Sequence, residues 1–247
     1  MQGPPPAAPL PEHPHLLLGT AALAIGGCLV FALSILVADF VVPDHDWMAD
    51  TISDLGAGRL EGIVDVGIYS FSAALIACAV GAAHAHLGGR GWTFGIYGLI
   101  ATGLIVFLVG ARNEYGDADH DGVVIHRYLV WALGALFAVL PWAMSEGVGR
   151  VSPRLRSLCR LVTVVWVPLA PLFFVVPTEI DGLYERLLGL VTFAFVGSVA
   201  LALAGTGYVS ATLAYGPTGR AVLRNVLGGV FAMLVTFAIG TLVGARI

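Results

Sequence analysis

Residues 114–126, EYGDADHDGVVIH, place Glu114, Asp117, Asp119, His120, Asp121 and His126 within thirteen positions. The whole chain of 247 residues holds 16 acidic residues and 7 histidines, so this connection is unusually rich in ligand-type side chains. Asp117-Ala-Asp119-His-Asp121-Gly122 matches the first half of a calcium loop. Carboxylates at alternate positions converge on one hard cation, and the glycine permits the sharp turn. The second half departs from that pattern, because Tyr128 stands where a bidentate glutamate would close the loop. Asp117, Asp119 and Asp121 are therefore candidate ligands of a divalent cation, calcium or magnesium. The plainer reading is a solvated acidic turn.

Other candidates flank the apolar runs. His126 stands where the chain enters its fourth apolar run, and histidine there can ligate a metal or move a proton near neutral pH; an interfacial histidine bonded to a backbone carbonyl is the structural alternative. Thr51-Ile-Ser53-Asp54 reads as a capping box, in which Thr51 and Asp54 exchange hydrogen bonds at the start of a short helix. The alternative has Ser53 or Asp54 facing a polar pocket. Glu61 and Asp65 are four residues apart and share one helix face, where two carboxylates repel unless a cation, an arginine or a proton lies between them. Asp39, at the end of the first run, is a further acid at the membrane edge. Arg112 and Asn113 end the third run and Arg186 opens the sixth. All three are candidate substrate-binding residues, and the two arginines are equally candidate ion-pair partners. Glu179 completes the candidate catalytic set of Asp54, Glu61, Asp65, His126 and Glu179.

What positions these residues is a very apolar chain, 58% hydrophobic and only 11% charged. A soluble domain carries about 25% charged residues, so this one lacks the charge to cover a water-facing surface. Apolar stretches of about eighteen or more residues recur, each able to cross a bilayer as a helix. The predicted fold is an all-α polytopic bundle with seven spans, near 15–42, 62–86, 92–111, 124–145, 157–177, 184–208 and 221–245. Residues 1–14 read as a disordered Pro-rich tail and 15–247 as one transmembrane domain. Pro168 and Pro171 predict a kink in the fifth span. Cys28, Cys78 and Cys159 are far apart and read as small buried hydrophobes. The five tryptophans fall mostly near span ends, as an aromatic belt would place them.

Arginine placement orients the bundle. Arg90, Arg150, Arg154, Arg156, Arg160, Arg220 and Arg224 gather at one side, against five at the other, which makes the first side cytoplasmic. Fourteen of the 16 acids lie on the opposite, extracytoplasmic side, all but Glu12 and Glu146. The expected location is the cell membrane, with the N-terminus cytoplasmic and the C-terminus extracytoplasmic. Three connections, 43–62, 111–127 and 177–186, share the acidic side, and a compact bundle must bring their ends together. A net charge of −4 argues against nucleic acid as a partner. Membrane lipids and an apolar small molecule are the expected partners.

The "TISDLGAG" connection, a Gly-ended third span leading to His126, and "GLYER" opening the sixth span together resemble the membrane family called domain of unknown function 998. The resemblance covers most of residues 15–208. It assigns family motif positions to Ile52 to Gly56, His126, Gly182, Leu183 and Arg186. It implies a six-helix core to which the seventh span is an addition. The chain departs from the pattern at Gly110-Ala-Arg112-Asn113, where Gly-x-Phe-Pro is expected, and in the longer acidic segment before His126. The resemblance implies an architecture and no established activity.

Three functions fit these features. An intramembrane enzyme would act on a lipid or other hydrophobic substrate, with an isoprenoid among the candidates. It would use either metal-activated water or a desolvated carboxylic acid as proton donor. No HExxH or other close-spaced ligand set supports the metal version. A non-catalytic scaffold or assembly subunit would use the acidic side for ion pairs, calcium or docking. A transporter ranks third, because no inverted repeat and no charged track across the spans is evident. The test between the first two is whether Glu61, Asp65, His126 and Arg186 line one cavity or close into ion pairs.

Overall fold

The computed structural model describes residues 13–57, 60–111 and 125–215. The described residues form helices α1 (Pro14–Val41), α2 (Ile52–Leu55), α3 (Glu61–Ala85), α4 (Trp92–Ala111), α5 (Ile125–Val151), α6 (Pro153–Leu172) and α7 (Asp181–Tyr215). A 3₁₀ turn, Phe173–Val175, extends α6. All but α2 are long and apolar enough to cross a membrane, giving six spans among the described residues. The predicted seventh span, 221–245, lies outside them.

The spans form a closed ring in the order α1, α3, α4, α5, α6, α7 and back to α1, with α3 and α7 also meeting across its middle. These two are the most enclosed: 56% of the α3 span and 50% of the α7 span is buried, against 17% for α6. Between helices in lipid there is no water to expel, so association rests on close packing of small residues. The α1–α3 seam shows this. A Cβ on Gly27 would collide with the Ser70 carbonyl, and one on Gly67 with the Ser34 side chain. The outer surface presents Leu29, Phe40, Val164 and Leu190 to the surroundings, as a lipid-facing wall should.

The helices differ most from the sequence expectation at the end of α7, which runs to Tyr215 beyond the expected end near 208, and at the α5–α6 joint. The fourth and fifth spans were expected to end near 145 and resume near 157, but α5 runs to Val151 and α6 starts at Pro153. The arginines and serines between are compatible with helix, and charge at a membrane boundary need not end one. Pro153 ends the run instead: it opens α6 at a position where its missing N–H costs nothing. Helix α6 continues through Pro168 and Pro171 and then tightens into the 3₁₀ turn. Trp92 and Trp166 are buried, donating from Nε1 to the Ala82 and Gly134 carbonyls, so they belong to the core and not to a belt.

Candidate functional site

At the acid-rich end, the connection from α1 to α3 is held down onto the start of α7. The His45 ring lies between two carboxylates, with Nε2 2.9 Å from Asp39 Oδ1 and Nδ1 3.1 Å from Asp50 Oδ2. Arg186 donates from Nη2 to Asp39 Oδ1 at 2.6 Å and from Nη1 to the carbonyls of Asp50 and Gly182, each at 2.9 Å. The Leu183 N–H donates to the Met48 carbonyl at 3.0 Å. Gly182 sits so close to the Asp50 carbonyl that any Cβ there would strike it, which is why glycine is required. The side chains of His45, Asp39 and Arg186 are 3%, 17% and 14% exposed, so this clasp is largely shielded from solvent.

The clasp positions α2. Thr51 Oγ1 accepts from the Asp54 N–H while Asp54 Oδ2 accepts from the Thr51 N–H, forming the predicted capping box. A further free N–H at this helix start, that of Ile52, donates to Glu185 Oε2 at 2.6 Å. Adjacent residues on α7 thus do different work: Glu185 holds α2 and Arg186 holds the preceding connection. With α2 fixed, Ser53 Oγ lies 3.3 Å from His126 Nε2 on α5.

Beneath α2 a cavity of about 900 Å³ opens among the spans. Its polar lining is sparse: Ser53, Asp65, His126, Arg127, Glu185 and Thr192. The rest is apolar and rich in rings, with Phe31 and Phe71 on α1 and α3, Trp131 and Phe137 on α5, and Trp166 on α6. Trp131, Val167 and Phe174 combine cavity lining with about half exposure, so among the described residues the wall meets the surface along α5, α6 and the 3₁₀ turn. Gly134 and Gly189 also line it, and a Cβ on either would meet nothing within 4 Å.

Of the predicted catalytic residues, the fold brings Asp65 and His126 to this one cavity. Asp54 sits in the capping box beside it, while Glu61 and Glu179 are exposed and are not part of its lining. Arg186 lies in the clasp. Arg112, Asn113, Asp117, Asp119 and Asp121 lie outside the described residues. Among the described residues, no three His, Cys, Asp or Glu side chains converge to hold a metal ion. His45 and Glu185 were missed as site residues. Both stood in the motif-bearing stretches, but Glu185 meets Ile52 across 133 positions, and His45 meets Asp39 and Asp50 through the fold of an irregular turn that carries no periodic signal.

A ring of six apolar helices with a lined cavity toward one end defines a polytopic helical membrane protein. The chain belongs to the family described as "Protein of unknown function (DUF998)", whose pattern matches residues 22–202. No curated protein and no solved structure matches it. The matched region contains both the clasp and the cavity, and the segments that carried the resemblance, Ile52 to Gly56, His126 and Gly182 to Arg186, are the ones that meet between them.

Proposed function

We propose that this protein binds, and through Asp65 and His126 chemically modifies, a hydrophobic or amphipathic small molecule held in the cavity beneath α2. The observation that carries the reading is the division of the cavity: apolar rings along its length and a few ionisable groups on three different helices. Ligand pockets typically enclose roughly 300–1,000 Å³, with mostly apolar walls and few polar groups to orient the guest. Polar side chains within spans are costly and mark functional positions by default. Ser53 and His126 are within proton-transfer reach of each other, which suits acid–base chemistry on a guest's polar end.

The clasp supports a second, structural role for the acidic end. Asp39, His45, Asp50 and Arg186 are closed on each other and leave little for a substrate. In this reading Arg186 holds helices together, and the chemistry lies one layer deeper. We infer that the acid-rich end faces out of the cytoplasm, in the cell membrane, because the arginines near the α5–α6 joint concentrate at the other end.

The test is apolar-metabolite profiling of cells with and without the gene, repeated with His126→Ala and Asp65→Asn. The expected result is an altered profile on deletion that neither variant restores. Full restoration by both variants would remove these residues from the chemistry.

A further inference from the structure

We propose that the guest is a lipophilic cation: an amine, ammonium or similar positive centre on an apolar body. This rests on the cavity reading above and names the charge of what fills it. Asp65 lies in the spanning helix α3, half-buried, and its carboxylate has no hydrogen-bond or ion-pair partner among the described residues. A carboxylate at such a position calls for a compensating charge. Its neighbours among the described residues do not supply one. Glu61, one turn earlier, carries the same sign. Glu185 adds a second carboxylate to the lining. Among the described residues Arg127 is the basic residue of the wall, but its guanidinium is turned onto rings, 6.0 Å from the Tyr128 centroid and 5.7 Å from that of Trp131. No ion pair joins it to Asp65.

The remaining wall favours the same charge. Aromatic faces carry negative potential and attract cations that have shed water. Phe31, Phe71, Phe137 and Trp166 line the cavity beside Trp131. A carboxylate set among aromatic rings complements a positive centre with apolar substituents, and it opposes an anion of the same shape.

Tetraphenylphosphonium, tetraphenylborate and uncharged tetraphenylsilane share one shape and differ in charge, which makes them suitable probes. Binding would be measured to the full-length protein in detergent micelles, for the wild type and for Asp65→Asn, Asp65→Glu and Gly189→Leu. Thermal unfolding would verify that each variant is folded. The expected result is saturable phosphonium binding, weakened about tenfold or more by Asp65→Asn, as loss of a desolvated charge partner implies. Asp65→Glu retains much of that affinity, silane competition is unchanged by Asp65→Asn, and Gly189→Leu blocks both compounds. If silane competes but phosphonium binds no better and ignores Asp65→Asn, the cation inference falls while the cavity reading stands. If no probe distinguishes the wild type from Gly189→Leu, both fall.

Discussion

Arg186 divides one guanidinium between two backbone carbonyls and the Asp39 carboxylate, and that geometry decides what its loss should do. Removing Arg186 leaves Asp39 with the His45 ring alone beside it, a loss of about 3 kcal/mol, the low end for breaking a largely buried pair. Arg186→Gln should therefore lower unfolding stability in micelles by about that much, and adding Asp39→Asn should cost far less than the two single losses summed. Strict additivity would show that the clasp is not a coupled unit. Arg186→Lys should not restore the wild type, because a single ammonium cannot span the same three acceptors. The capping box at Thr51 was legible in the sequence, since both its partners lie within four residues and the pattern is local. The clasp was legible in part: Arg186 reads as a candidate ion-pair partner for the acids at the span ends, Asp39 among them, but the choice of Asp39, 147 positions away, does not, and His45 sits in a turn with no periodicity to betray its orientation. The absence of an ion-pair partner for Asp65 among the described residues was equally invisible, since the sequence shows its like-charged neighbour Glu61 but not where Arg127 turns.

At the scale of elements, the spans were legible because apolar runs of membrane length leave few alternatives, and six of them stand within a few residues of expectation at most of their ends. The α5–α6 joint was not, because a dense run of charge between apolar stretches reads as a loop, whereas Arg150, Arg154 and Arg156 are helical and Pro153 makes the break. Which faces meet was also beyond the sequence, since glycines are spread through five of the six described spans. The structure separates them into two kinds. Gly27 is pressed against the Ser70 carbonyl of α3, so Gly27→Val must force α1 and α3 apart. We expect it to lower stability by about 2 kcal/mol or more, the cost of overpacking against backbone that cannot yield, as read by unfolding in micelles. An unchanged unfolding midpoint would contradict the close α1–α3 seam. Gly134 and Gly189 face open space, and leucine at either position improves helix propensity while filling the cavity.

For the whole molecule, the central feature is the convergence of distant segments at one end. The first connection, the start of α5 and the start of α7 meet there, although 73 positions separate Ser53 from His126. The acidity of that end was legible from sequence, and so was the meeting of connections, because alternate loops of a helical bundle share a side. The cavity beneath was not, since its lining on α5 and α7, Gly134 and Gly189 included, comes to one space only through a ring closure that no local pattern encodes. The most direct test is native mass spectrometry of the purified, extensively delipidated protein beside its Gly134→Leu and Gly189→Leu variants. We predict one retained apolar molecule per wild-type chain, absent from both variants, whose unfolding temperatures equal or exceed the wild type. The same molecule retained equally by the filled variants, or no molecule retained by the wild type, would contradict a ligand-holding cavity.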